Sequence, residues 1–79
     1  MRWQDYIEQN PDVLGGKPVI RGTRISVELI LERLGDGWKE EDVLKSFPHL
    51  KPEHFRAAQA YAAASLSTDE TLFLNEPAA

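Results

Sequence analysis

Residues 15 to 25, with the sequence GGKPVIRGTRI, restrict the fold of this chain most, because such a run is unsuited to a helix. Its three glycines favour turns with positive φ, and Pro18 lacks the backbone N–H that a helix interior requires. Val19 and Ile20 are β-branched and favour an extended backbone between the two glycine turns. The run therefore predicts a turn-strand-turn ribbon, and a second short strand is predicted at residues 6–9.

The same run is basic, although the 79-residue chain has a formal net charge of −4. It displays Lys17, Arg21 and Arg24 and contains no acidic residue. In an acidic chain, any DNA binding must come from a local patch of this kind, which is suited to contact phosphates. The alternative, given equal weight, is that one of the arginines pairs with Glu28 or Glu32 and tethers the ribbon to the helices.

The segment after the ribbon shows the pattern of an amphipathic helix. Ser26 is a favourable N-cap, and Gly35 stands where a left-handed C-cap is expected. Apolar residues at i, i+3, i+4 and i+7 form one stripe between them: Val27, Ile30, Leu31 and Leu34. This stripe predicts helix 1 with one buried face.

Two further helices are predicted after helix 1. Helix 2 begins after Gly37, carries three acidic residues in its first turn, where the helix dipole favours negative charge, and ends before Pro48. Helix 3 has Pro52 at its first helical position. Lys39 and Lys51 occupy the capping positions, where Ser, Thr or Asp would be usual, so frayed helix starts are expected.

The short connections between these helices suit a compact trihelical unit. We therefore predict a mainly α fold, a three-helix homeodomain-like helix-turn-helix unit with a short N-terminal β-ribbon. Residues 1–66 form the single domain, with the ribbon at 1–25 and the three helices at 26–66. Residues 67–79 form a C-terminal tail.

Two motifs, GGKPVIRGTRI and GWKEEDVL, are separated by the amphipathic helix and resemble the domain-of-unknown-function 433 family. The resemblance runs from about Ile7 to about Ala63. It implies a small prokaryotic helix-turn-helix protein of the VapB-like antitoxin kind, often paired with a PIN-like nuclease toxin. The partners that the resemblance implies are operator DNA and a toxin protein.

The small size of the chain predicts a homodimer. A core in a chain this short supplies only about 3 to 5 kcal/mol of net stability, and the absence of cysteine removes disulfides and the commonest zinc sites as supports. Trp3, Tyr6 and Ile7 are too apolar for an untethered N-terminal segment, so we expect them to form the dimer contact. No apolar stretch of roughly 20 residues and no secretory signal is found, which predicts a cytoplasmic protein.

The residues that could carry catalysis do not form a recognisable site. The glycine pair before Lys17 lacks the spacing of a phosphate-binding loop. His49 and His54 have no cysteine or carboxylate at ligand spacing and are interpreted as surface residues. No histidine lies near a serine or threonine of the ribbon in the sequence to activate a hydroxyl. We therefore expect no enzymatic activity, no metal and no cofactor.

Helix 3 offers a second candidate DNA contact. Lys51, Arg56 and Gln59 lie beside its apolar stripe, and Arg and Gln suit base edges in the major groove, although any solvated helix face would show similar residues. The helix is rich in alanine, which lets helices approach closely, so packing against a partner is the alternative. Tyr61 among these alanines is either a core residue, the preferred interpretation, or an interface anchor.

The C-terminal segment has no Lys or Arg after Arg56 but contains a short apolar run, Leu72, Phe73 and Leu74. We expect this run to fold onto an apolar groove of the toxin. Two functions therefore remain open. One is an antitoxin that binds operator DNA as a dimer and neutralises a PIN-like ribonuclease toxin. The other is a protein–protein interaction module that does not bind DNA.

Overall fold

The computed structural model describes the backbone of residues 1–73 and the side chains of residues 1–67. In chain order its main elements are the strands β1 (Ile7–Gln9) and β2 (Pro18–Ile20) and the helices α1 (Val27–Gly35), α2 (Glu40–Ser46) and α3 (Pro52–Phe73). The predicted fold class is confirmed, because the domain is mainly helical and has a short two-stranded ribbon at its N-terminal end.

The ribbon is joined directly to the helical body. β1 and β2 pair antiparallel, with Ile7 opposite Ile20. On its other side β2 is bridged through Val19 to Ser26, the residue before α1. The Ser26 hydroxyl then caps α1 as predicted, because it accepts the Leu29 N–H at 3.0 Å. The strand and the helix start therefore fix each other.

The connection between the two strands passes through a left-handed turn. Leu14, Gly15 and Gly16 have φ angles of 49°, 66° and 88°, and the glycines of the predicted ribbon adopt such angles at little steric cost. Leu14 lacks that freedom and is nevertheless held in this conformation with 44% of its surface exposed. The turn therefore presents an apolar side chain to solvent.

The end of α1 differs from the prediction. Gly35 is the last helical residue, and the left-handed residue is Gly37, with φ at 93°. The Gly37 N–H donates to the Leu34 carbonyl, and the Trp38 N–H donates to the Arg33 carbonyl, which is the hydrogen-bond pair of a Schellman cap. The Arg33 guanidinium lies 5.3 Å from the centre of the Trp38 ring and covers this cap.

The end of α3 also differs from the prediction. The helix begins at Pro52 as expected but continues to Phe73, beyond residue 66, where the third helix was expected to end. The physical reason is that no Gly or Pro follows Pro52 before Pro77. The predicted tail therefore starts as a continuation of α3.

The hydrophobic core lies where the ribbon meets the three helices. Its largest fully buried side chains are Val19, Ile20, Ile30, Val43 and Phe55. Ala57 and Ala58 are also fully buried, which lets α3 approach the other elements closely. Ile7 of β1 is 4% exposed and belongs to the same cluster. The ribbon is therefore an integral part of the domain.

Candidate functional site

Lys17 of the ribbon is paired with α1. Its Nζ lies 3.1 Å from Oε1 of Glu28, and both side chains are more than half exposed. The hydrogen bond from Lys17, reinforced by its charge, lowers the pKa of Glu28. The sequence left open, with equal weight, whether Arg21 or Arg24 forms this tether or contacts phosphate, and in the structure the tether is formed by Lys17. Because an exposed pair contributes little stability, Lys17 can leave Glu28 at low cost.

The Arg21 guanidinium holds the N-terminal segment against the ribbon. Nη2 donates to the carbonyls of Gln4 at 2.9 Å and Ile7 at 3.2 Å, and Nε donates to the carbonyl of Asp5 at 3.4 Å. Nη1 lies 3.6 Å from a carboxylate oxygen of Glu8. A guanidinium has five N–H donors, so these contacts occupy most of them. Arg21 is therefore engaged in structure, and a DNA contact would have to compete with it.

Arg24 and Lys51 differ from the other predicted DNA-binding residues. Their side chains are exposed and make no hydrogen bond or ion pair with any other residue that the structure describes. Arg24 lies with Leu14 and Lys17 at a shallow depression of about 270 Å³. These two side chains are the members of the predicted set that can meet a phosphate without first breaking an intramolecular contact.

Arg56 connects α3 to α2. Its Nη2 lies 2.7 Å from Oε2 of Glu40 in the first turn of α2, and its Nη1 donates to Oε1 of Gln59 at 2.8 Å. Four of the six predicted DNA-binding residues are thus held by partners within the chain: Lys17, Arg21, Arg56 and Gln59. Among the described residues, no hydrogen bond or ion pair joins the ribbon cations to Arg56.

The predicted dimer residues pack within the chain. Ile7 is in the core. Trp3 packs edge-on against Tyr61 with 4.9 Å between ring centres, and Tyr6 packs in the same way against His54 at 5.9 Å. The N-terminal segment is therefore tethered, as its apolar residues indicate, but to its own α3 and core, so these residues do not by themselves require a second protomer. Tyr61 packs against the core as preferred.

His54 is a partly buried residue of the α3 start, whereas His49 is exposed as interpreted. Its Nδ1 accepts the backbone N–H of Lys51 at 2.9 Å, and the backbone N–H of His54 donates to the Lys51 carbonyl. The first of these bonds is one half of a capping box, with His in the place of the usual Glu or Gln, and the other half is missing because the lysine side chain at the capping position cannot accept a hydrogen bond. The signal in the sequence is a side-chain acceptor three residues after the capping position.

The position of His54 predicts that acid weakens the fold. Burial, with the charge of Lys51 adding to it and that of Glu53 opposing it, lowers the pKa of His54 below its ordinary value of 6.5. The unfolded chain then binds more protons between the two pKa values, so the free energy of unfolding should fall as pH drops through 6.5 and level off below the folded-state pKa. Urea unfolding between pH 5 and pH 8 measures this. A His54→Gln variant is the control, because Gln can still accept the Lys51 N–H but cannot titrate, and its stability should stay level across the same window.

An open apolar groove lies between α1 and the middle of α3. Its volume is about 530 Å³. Its apolar lining is Pro18, Val27, Leu31, Tyr61, Ala62 and Leu66. Leu66 is 62% exposed, and Glu28 and Glu32 of α1 stand on the same groove. The sequence prediction missed this site because its walls come from three separate segments. The available signals were the apolar pairs one helical turn apart, Val27 with Leu31 and Ala62 with Leu66.

Other predicted features fall partly outside the described residues. Leu72 and Phe73 have a helical backbone, but their side chains lie outside the described part of the chain, as does all of Leu74. Within the described residues no group of three or more His, Cys, Asp and Glu side chains could hold a metal ion. Among the same residues, no helix has both the length and the apolar character needed to cross a membrane.

Comparison with known sequences identifies a family and a curated relative. Residues 7–62 match the profile of DUF433, described as a protein of unknown function. The chain is also 37% identical over 62 residues to the uncharacterized protein y4eO of Sinorhizobium fredii. The match covers 78% of this chain but 28% of that relative, so the chain spans less than a third of its length.

A solved structure shares the fold. The crystal structure of a DUF433 member protein from Anabaena variabilis superposes with a TM-score of 0.75 at 28% sequence identity. The alignment covers 91% of this chain and 71% of that chain. The ribbon and the three helices are therefore an arrangement that a second protein with the same family description adopts.

Proposed function

The chain belongs to the DUF433 family of proteins of unknown function, and on that premise we propose that it acts by binding a partner protein, without enzymatic activity of its own. The observation that carries this proposal is the open apolar groove between α1 and α3. Leu66 is left largely exposed beside it, and covering such a side chain is favourable for association. The contacts that Arg21 and Arg56 make within the chain support the same choice, because most of the predicted DNA-binding residues already have partners there.

The proposed partner is a PIN-like ribonuclease toxin, the class that the resemblance to antitoxins implies. In this proposal the chain is a cytoplasmic antitoxin that acts as a homodimer, and Leu72, Phe73 and Leu74 remain proposed toxin contacts. The dimer contact is proposed to lie away from the rings of Trp3 and Tyr6, since α3 covers them. The groove and the residues after 67 are then two separable candidates for the toxin-binding surface.

Calorimetric titration with a PIN-like ribonuclease from the same organism tests the proposal. We expect the full chain to bind it and to suppress its ribonuclease activity. A chain that ends at Ser67 keeps the groove but lacks the apolar run, so its affinity tells which of the two surfaces is used. If the full chain neither binds nor inhibits any such nuclease, the antitoxin proposal is wrong.

DNA binding is the second candidate function, and the free side chains of Arg24 and Lys51 favour it. An Arg24→Ala, Lys51→Ala double variant should lower the slope of log affinity against log salt by about two per protomer, since each lost phosphate contact removes about 0.9. The measurement is titration of an operator fragment at several salt concentrations.

Arg21→Ala is the contrasting variant for that experiment. This variant should lower the melting temperature and leave the salt slope nearly unchanged, because the Arg21 donors hold the N-terminal backbone. An unchanged slope in the double variant would mean that any DNA binding does not use these two cations.

A further inference from the structure

We propose that the groove between α1 and α3 binds a basic amphipathic helix of a partner protein. The inference rests on the proposed partner-binding function and adds the chemistry of the partner. Two independent observations support it, the shape of the groove and the charge of its rim.

The shape of the groove fits a third helix. Val27 is buried in the core, so α1 meets the groove mainly through the partly buried Leu31, whereas Ala62 and the exposed Leu66, one turn apart on α3, form a ridge of the i, i+4 type. Ala62 and Ser65 are small, which leaves room for a helix to approach the floor of the groove. A helix that lays an apolar stripe into such a space is a recurring mode of recognition.

The charge of the rim selects a basic partner. Glu28 and Glu32 both line the groove, and Lys17, paired with Glu28, is the one cation within the described residues that forms an ion pair with either of them. On the other wall, α3 contributes no cation, because no Lys or Arg follows Arg56. A second copy of this acidic chain would bring like charges together at the rim. A helix with Lys or Arg beside its apolar stripe would instead meet Glu32 and could replace Lys17 on Glu28.

Helical peptide probes test this inference with the full chain. Two labelled peptides of 18 residues share the same leucines at i, i+4 and i+7, and one carries lysines beside this stripe where the other carries glutamates. Fluorescence anisotropy should show binding of the lysine peptide, weakening as salt rises, and at least about tenfold weaker binding of the glutamate peptide. Comparable affinities for both peptides would overturn the charge argument.

Two variants on opposite faces of α3 locate the contact. Leu66→Gln should weaken binding of the lysine peptide by about tenfold or more, the effect of losing one buried leucine. Ala64→Gln makes a similar polar change on the same exposed stretch of helix, but Ala64 does not line the groove, so affinity should stay within about twofold. Equal effects of the two variants would show that the groove is not the binding site.

A charge reversal provides the final arm. Glu32 is exposed, so Glu32→Lys should leave the fold intact while shifting the preference from the lysine peptide toward the glutamate peptide. Light scattering of the chain alone is measured in parallel, and a dimer that Leu66→Gln dissociates would assign the groove to a second copy and overturn the inference. Toxin binding that Leu66→Gln leaves unchanged would overturn the inference but leave the proposed function standing.

Discussion

A Phe55→Ala variant is expected to be largely unfolded at room temperature. Phe55 is fully buried in the first turn of α3, at the centre of the core. Removing a buried phenylalanine ring costs about 3 to 5 kcal/mol, which is as large as the whole net stability of about 3 to 5 kcal/mol that a domain of this size holds. Circular dichroism during urea titration should show low helix content without denaturant and no cooperative transition.

Phe47→Ala is the matched control for this variant. Phe47 follows α2 and packs against the same core, but it is only partly buried, so the same chemical change should cost less and leave a measurable transition. Phe55→Leu keeps most of the apolar volume and should also fold. If Phe55→Ala loses less than about 1 kcal/mol, the surrounding side chains close the cavity, and Phe55 is not the organising residue of the core.

The helices could be predicted because their signals are local. Ser26 and Pro52 mark helix starts at positions where the structure has them, and the apolar stripe of α1 faces the core. The turn-strand-turn ribbon could be predicted for the same reason, since Gly, Pro and β-branched residues restrict or free the backbone angles at their own positions. The cap of α1 was misplaced by two residues because Asp36 and Gly37 extend the turn, which only the hydrogen bonds to Arg33 and Leu34 reveal.

The contacts of the surface side chains could not be predicted, because their partners are distant in the sequence. Arg21 and Lys17 look alike as free cations, yet one donates to backbone carbonyls fourteen to seventeen residues earlier, such as that of Gln4, and the other pairs eleven residues ahead with Glu28. A sequence gives the charge of a side chain but not its neighbours in the fold. The candidate DNA patch was therefore overestimated, and the groove, whose walls come from separate segments, was not seen.

The distribution of charge around the fold has a functional consequence. Three ion pairs join elements of the fold through cations of the ribbon and the start of α3: Lys17 with Glu28, Arg21 with Glu8 and Arg56 with Glu40. The surface that remains apolar and open lies farther along α3, where the sequence has no cation at all. In an acidic chain, this division favours recognition of a basic partner surface over recognition of nucleic acid.

A chain that lacks residues 1–9 is expected to lose its fold, which is a larger effect than the loss of a dimer contact. The deletion removes β1, so the N–H groups and carbonyls of β2 that pair with it lose their partners. It removes Ile7 from the core, a loss of about 1.5 to 3 kcal/mol, and it takes away the rings that pack on Tyr61 and His54. Together these losses exceed the roughly 3 to 5 kcal/mol available to so small a domain.

The deletion also separates the two roles considered for the N-terminal segment. If the segment is part of the fold, the shortened chain should show low helix content by circular dichroism and no cooperative melting. If the segment only joins two protomers, the shortened chain should be a folded monomer by light scattering. A chain lacking only Met1 and Arg2 is the control, because both side chains are exposed and Arg2 contributes a surface pair with Asp5 and a carbonyl that accepts the Asp5 N–H. Ile7→Ala adds an internal test, since Ile7 lies in the core and cannot contact a second protomer without leaving it. A folded, monomeric chain without residues 1–9 would contradict the structural role of Arg21 as well, because it would have lost the carbonyls to which its guanidinium donates.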